Sequence, residues 1–265
     1  MKKKILLLLP VFFIACDMFD YHPYDGKLSG VLDNNKKNIA RIEEHLKDKT
    51  SFKFAFISDT QRWYDDTERV VKNINSRPDI DFVVHGGDLS DFGYTDEFLL
   101  QRDILNKLKA PYVAVIGNHD FLANGSQVFV KVFGEENFSF MAGNTKFVCV
   151  NTNALELDYS HPVPDFQYIN SQLDENYANH TNTIFVMHAP PFSEQFNNNV
   201  AKVFQYEINR FPNLLFCLNG HGHTLEHNDL FDDGVIYYEV CNVHKRKYYI
   251  FTITDNKYTY EVVEF

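Results

Sequence analysis

Four cysteines are all that a chain of 265 residues offers, too few and too irregularly spaced for a disulfide framework or a zinc motif. Cys149, Cys217 and Cys241 each lie in or beside an apolar run, so they are expected as buried free thiols. Long basic runs are missing: beyond Lys2-Lys3-Lys4 there is the short Lys245-Arg246-Lys247. With 25 Lys and Arg against 36 Asp and Glu, the formal charge is −11. Such a surface repels nucleic acid, and no nucleic-acid partner is expected. No apolar run is long enough to span a bilayer, and neither an internal repeat nor a low-complexity tract stands out. What acidity does suit is the concentration of divalent cations.

Against these absences stand 25 Phe and 15 Tyr, enough for an aromatic-rich core in one large domain. The first 16 residues read as a signal peptide: a positive start, the apolar stretch Ile5 to Ala15, then Cys16. Phe13-Ile14-Ala15-Cys16 resembles a bacterial lipobox, with Phe13 where an aliphatic residue is usual. That resemblance implies a protein exported and lipid-anchored through Cys16 to a bacterial membrane, on its periplasmic or cell-surface side. A plain secretory leader is the alternative. Residues 17–50 are expected to form a tether and a helix, and residues 51–265 the body.

Helical spacing over Asn34 to Lys47 places Ile39, Ile42 and Leu46 on one face, with Asn34 or Asn35 as N-cap. Then short apolar strands alternate with helices. Strands are predicted at Phe52 to Ile57, Phe82 to His85 and Tyr112 to Ile116. Helices are predicted at Asp66 to Asn75, capped by Asp65 or Asp66, and at Thr95 to Lys109. Further apolar runs lie at Lys146 to Val150, Thr183 to Met187 and Leu214 to Leu218, with helices at Phe166 to Tyr177 and Asn199 to Asn209. The end of the chain carries strands alone, at Val235 to Val240, Tyr248 to Ile253 and Tyr258 to Val263. This order indicates an α/β body with mixed sheets.

Polar clusters sit where these strands end. Asp59-Thr-Gln61, Gly87-Asp88-Leu-Ser-Asp91, Gly117-Asn118-His119-Asp120, His188-Ala-Pro-Pro191 and Gly220-His221-Gly-His223 each follow an apolar run. Singly, each is an ordinary cap or turn. Together they offer carboxylate, amide and imidazole donors from separate strand ends, the mixture that Mn, Fe and Zn accept. Ligand sites in open α/β sheets gather beyond the carboxyl ends of strands, so the five loops can converge.

In these segments the chain resembles the calcineurin-like metallophosphoesterase superfamily, whose pattern runs Asp-x-His, Gly-Asp-x-x-Asp, Gly-Asn-His-Asp/Glu, a lone His and Gly-His-x-His. The resemblance covers roughly residues 51 to 245. It implies a four-layer α/β/β/α sandwich of two mixed β-sheets flanked by helices. It also implies two divalent metal ions, the first held by Asp59, Gln61, Asp88 and His223, the second by Asp88, Asn118, His188 and His221. A hydroxide bridging the metals would attack the phosphorus of an ester or anhydride. His119 would protonate the leaving group, oriented by Asp91, while Asp120 would orient a neighbour rather than bind metal. Gln61 departs from the pattern, standing where most members have His. In this the chain is similar to manganese-dependent ADP-ribose and CDP-alcohol pyrophosphatases, which favours Mn or Fe over Zn and hints at nucleotide diphosphates.

Arg62, Trp63 and Tyr64 follow the first motif and are candidates for binding a phosphorylated small molecule or stacking on a base. His227, just past the last motif, is a further substrate-binding candidate, and His161 a remoter one. Two other readings stand beside a general phosphoesterase: a nucleotide pyrophosphatase or phosphodiesterase of the same fold, and a membrane-anchored metal-binding lipoprotein without turnover.

Overall fold

A computed structural model describes residues 26–157, 160–175 and 180–265. Cys16 with its leader, and Tyr177 at the end of one predicted helix, lie outside the described residues. In chain order the elements are α1 (Asn34–Leu46), β1 (Ser51–Ile57), α2 (Tyr64–Asn75), β2 (Phe82–His85), α3 (Thr95–Leu105), β3 (Tyr112–Ala114) and α4 (Gly125–Val132). Then come β4 (Phe138–Ala142), β5 (Thr145–Cys149), α5 (Phe166–Glu175), β6 (Asn182–Val186), α6 (Ala201–Ile208), β7 (Leu214–Asn219), β8 (Glu226–Asp229), β9 (Ile236–Glu239), β10 (Lys247–Thr254) and β11 (Lys257–Glu264).

The alternation along β1 sets the layers. Phe52, Phe54 and Phe56 enter one cluster while Ala55 and Ile57 enter another, because successive side chains of a strand point to opposite faces. β1 belongs to a five-stranded sheet ordered β11-β10-β1-β2-β3, and the second, six-stranded sheet is ordered β4-β5-β6-β7-β9-β8. Both mix parallel and antiparallel pairs: β1–β2–β3 and β5–β6–β7–β9 run parallel. Between the sheets, Phe54, Phe82, Phe147 and Phe251 fill the interior. Phe54 stacks on Phe82 at 5.2 Å and meets Phe147 edge-on at 5.3 Å. Val70, Phe98 and Phe129, from α2, α3 and α4, cover the outer face of the first sheet. Ile169, Phe204 and Ile208, from α5 and α6, cover that of the second. The expected four-layer sandwich is the observed one. The three cysteines among the described residues are buried and free, as expected. None of the described helices is long and apolar enough to cross a membrane.

The capping expectations need correction. The first helix has Asp33 at its N-cap, with no side-chain capping bond; Asn34 and Asn35 lie inside the helix, and their amides donate to the Val132 and Ala114 carbonyls. Helix α2 begins at Tyr64, so Asp65 and Asp66 fall in its first turn rather than at its cap. The Asp66 carboxylate is instead taken by His244 Nδ1 at 2.8 Å and Arg246 Nε at 3.1 Å. The helix expected to reach Lys109 ends at Leu105. Residues 26–33, read as tether, lie against α3: Arg102 donates to the carbonyls of Ser29 and Val31.

The Asn side chains of α1 have a structural task. β3 is the edge of its sheet, and a bare edge leaves amides and carbonyls unpaired. Asn35 closes that edge like a strand residue, donating to Ala114 O at 2.8 Å and accepting from Ala114 N at 2.9 Å. Asn38 donates to Tyr112 O at 2.8 Å. On the same helix, Glu43 accepts from Met141 N of β4 at 3.0 Å, so α1 ties the edges of both sheets. Asn35→Ala would leave two buried main-chain groups unpaired, and a loss of about 3 kcal/mol is expected in urea unfolding. An unchanged midpoint would show that the edge does not need the helix.

Candidate metal centre

All five motif loops meet at one end of the sandwich, beyond the carboxyl ends of β1, β2, β3, β6 and β7. The backbone there is bent hard: Asp59, Asp88, His221 and His223 all have positive φ, at 53°, 60°, 75° and 56°. Such values cost energy for residues with a Cβ and persist only where surroundings over-determine them. Here the loops are stitched to one another. Asp59 N donates to Gly87 O, Thr60 N and Gln61 N to Asp88 O, and Gly220 N to His188 O, all at 3.0–3.2 Å. Gly117 is required by close approach, since a Cβ there would lie 2.1 Å from Asp88 Oδ1. Gly220 is required likewise, its Cβ falling 2.2 Å from Ser58 Oγ.

Asp120 locks two of these loops together. It is fully buried, and its carboxylate accepts from Leu89 N, Ser90 N, Ser90 Oγ, Asp88 N and Gly117 N at 2.8–3.1 Å. Burial and the neighbouring Asp88 push its carboxyl up to about 7, against the pull of the Ser90 and Gly117 donors. Its place is the one expected: it orients ligand loops and leaves the donor cluster to others.

Donor atoms of Asp59, Asp88 and His188 lie within 4.8 Å of one another. Asn118 Oδ1 sits 3.0 Å from His188 Nε2 and 3.1 Å from His221 Nδ1, and His188 Nε2 is 3.4 Å from Asp88 Oδ1. On the other side, Gln61 Nε2 is 3.1 Å from Asp88 Oδ2, and His223 Nε2 is 3.0 Å from Asp59 Oδ1. All seven expected ligands are therefore brought together, with Asp88 between the two groups.

The imidazoles are oriented from behind. His188 Nδ1 donates to Gly86 O at 2.8 Å, which leaves Nε2 facing the cluster. His221 Nε2 lies 3.0 Å from Glu194 Oε1, which leaves Nδ1 inward. This is how proteins prepare metal-binding histidines. Burial opposes charge on His188, yet Asp88 and Asp59 outweigh it and push that imidazole up to about 10. Burial likewise opposes charge on Asp88, yet the imidazoles of His188 and His119 hold its carboxyl below the usual range. The pocket thus demands positive charge at its centre.

Does the set fit a metal? Two buried oxygens answer in its favour. Gln61 Oε1 has no hydrogen-bond partner, and Asp59 Oδ1 makes no hydrogen bond of good geometry although His223 Nε2 is near. Buried acceptors are rarely left so, and both belong to side chains that touch the cluster, Gln61 through its Nε2 on Asp88 and Asp59 beside His223. Four oxygen-bearing side chains, three imidazoles and no thiolate form a donor set for borderline or hard divalent cations.

His119 stands beside this cluster with its side chain partly exposed. Its Nδ1 donates to the main-chain carbonyl of Asp91 at 2.9 Å, leaving Nε2 free. The hydrogen bond between His119 and Asp91 is thus made by the main-chain carbonyl. The Asp91 carboxylate is 3.7 Å from the same Nδ1 and is paired with Arg62. Arg62, Trp63 and Tyr64 line a cleft with Asp65, Asp66 and His244. His227 falls on the edge strand β8, stacked on Tyr238 at 5.2 Å, and joins no donor of the cluster. His161 is exposed, beside Ser160.

Sequence reasoning missed several supporting residues. His85 is buried under the first motif, its Nε2 donating to Thr60 Oγ1 at 2.9 Å while Nδ1 accepts from Gly87 N. Burial holds it neutral, pushed down to about 4. A polar residue ending the apolar run Phe82–Val84 was its available signal. Glu194 and His244 carried none, because they meet the site only through folding.

A two-sheet sandwich with this donor cluster at its strand ends defines a metallophosphoesterase. The calcineurin-like phosphoesterase family matches residues 52–225, and the chain belongs to it. It is accordingly a hydrolase acting on phosphoester bonds. A 3',5'-cyclic-nucleotide phosphodiesterase of Nostoc sp. is 26% identical over 196 residues, covering 70% of this chain and 71% of that protein. Among solved structures, the GAP50 anchor of the Plasmodium inner membrane complex superposes with a TM-score of 0.63 at 13% identity, over 82% of this chain and 85% of that one. Purple acid phosphatase PPD1 of yellow lupin gives 0.59 at 16% identity, over 81% of this chain and 51% of that one. These two share the fold.

Asp120→Asn tests the lock between the loops. An amide presents one acceptor and one donor group where the carboxylate receives five donors. Loss of about 2–3 kcal/mol in stability is expected, with reduced metal retention on dialysis. Full stability and full metal content would remove Asp120 from its assigned place.

Proposed function

We propose that the protein is a phosphodiesterase whose site is completed by two divalent cations, manganese or iron in preference to zinc. The observation that carries this reading is the convergence of Asp59, Asp88 and His188 donors within 4.8 Å, ringed by the other four motif ligands. Asp59, Gln61, Asp88 and His223 would hold one cation, and Asp88, Asn118, His188 and His221 the other. When bound, the cations supply positive charge that acidifies a water and neutralises phosphoryl oxygens. The predominance of oxygen donors, with the Gln61 amide in place of an imidazole, supports the harder metals.

The chain's own residues do the rest. Asp120 holds the Asp88 and Asn118 loops in register. The Asp91 carbonyl fixes the His119 ring, so that Nε2 can carry a proton to the leaving oxygen. Arg62 pairs with the Asp91 carboxylate, which lies 3.7 Å from Nδ1 of the same ring. A diester is supported by the likeness to the Nostoc cyclic-nucleotide phosphodiesterase. Gln61 favours a second reading, a nucleotide pyrophosphatase, through its similarity to the Asp-x-Gln variants.

Hydrolysis of a phosphomonoester, a phosphodiester and a nucleotide pyrophosphate with added manganese separates these readings. The diester is expected to be the best substrate; preference for the pyrophosphate would install the second reading, and no turnover of any would sink both. His119→Ala is expected to lower kcat/KM by about 10²–10⁴-fold with metal content unchanged.

A further inference from the structure

Beside the metal centre lies a cleft of about 340 Å³, lined by Arg62, Trp63, Tyr64, Asp65, Asp66 and His244. That volume is at the lower end for small-molecule sites. One wall follows the ligand Gln61 directly in sequence. The other is the turn Val243–Lys245, and it is clamped to the centre: Val243 N donates to Asp59 O at 3.4 Å and Lys245 Nζ to His223 O at 2.7 Å. The cleft therefore borders the Asp59–His223 side of the site. Its Arg62 end reaches Asp91, whose carbonyl holds His119.

Its aromatic furniture is fixed. Trp63 packs on the hydrophobic core and is covered by His244, the two rings stacked at 4.0 Å and 10°. His244 cannot turn freely, because Nδ1 is bonded at 2.8 Å to Asp66, a carboxylate just 7% exposed. Arg246 holds the same carboxylate at 3.1 Å. The His244 side chain remains 54% exposed. It offers a rigid π face with a Trp behind it, and its Nε2 points away from Asp66.

Resting on the phosphoesterase reading, we propose that this cleft receives the base of a nucleotide substrate, stacked on the outer face of His244. A flat heteroaromatic ring suits such a ledge, since stacking is tolerant of base identity and the polar lining can pair with ring edges. An alkyl chain does not suit it, for the lining carries no aliphatic side chain of its own. A quaternary ammonium would want open aromatic faces and free negative charge. Here the Trp63 face is covered by His244, and Asp66 is already paired with His244 and Arg246, which leaves the exposed Asp65 as the carboxylate to answer such a cation.

Trp63 is the only tryptophan of the chain, so tryptophan fluorescence, excited beyond the tyrosine absorption band, reports on this cleft. Titration of the metal-loaded protein with AMP and with ribose 5-phosphate compares the same phosphate with and without a base. AMP is expected to bind about tenfold more tightly, the advantage one base–aromatic stack confers. His244→Ala should abolish that advantage and His244→Phe should keep it. Equal affinities in the unaltered protein, or a preference that survives His244→Ala, would overturn the proposal. So would tighter binding of phosphocholine than of AMP. Because the readout is binding, a failure to hydrolyse diesters would count against the phosphodiesterase reading and leave this comparison decisive. Hydrolysis without base preference would sink the cleft alone.

Discussion

Three carboxylates, those of Asp59, Asp88 and Asp120, are buried together at the mouth of the sandwich, and the site depends on how their charge is compensated. Buried carboxylates without partners would repel one another and take up protons. Asp120 is answered by five main-chain and hydroxyl donors. Asp88 is answered by the His119 amide, Gln61 and His188. Asp59 keeps one oxygen with no well-formed hydrogen bond. The remaining demand for positive charge at the centre is what makes the cluster a cation site rather than a polar core.

The scaffold lets this cluster exist. Parallel strands in both sheets aim their carboxyl ends to one side, and the stacked Phe interior keeps the sheets in register. The loops then borrow from each other across the sandwich: His188 from the second sheet bonds Gly86 of the first, and His221 N reaches Asp59 Oδ2 at 3.3 Å. Positive φ at four of the motif residues is sustained by that mutual bonding. Along the β3 edge, α1 closes the first sheet with asparagine amides. The same residue type stands in the donor cluster, as Asn118, and as surrogate strand on that edge, as Asn35 and Asn38.

Much of this was legible in the sequence, for identifiable reasons. Phe52–Ile57 alternates and Phe82–Val84 is a pure apolar run, so β1 and β2 announce themselves. The motif residues were legible because each segment follows such a run directly or within a few residues. Elements without that contrast were not. β8 reads Glu-His-Asn-Asp and takes its strand form from pairing with β9, while α4 opens on glycine and carries three valines that favour strand. Asn34 and Asn35 looked like caps because a cap needs a short polar side chain, and edge closure needs the same. Asp91 was expected beside His119; it meets that ring through its main-chain carbonyl, with its carboxylate 3.7 Å from the same nitrogen and paired with Arg62, whose φ is 57°.

The central claim is that the seven motif side chains form a site for two cations sharing Asp88. Elemental analysis of the purified, dialysed protein measures it most directly. About two transition-metal ions per chain are expected, with manganese or iron predominant. A stoichiometry of one or none after incubation with excess manganese or iron would contradict the claim.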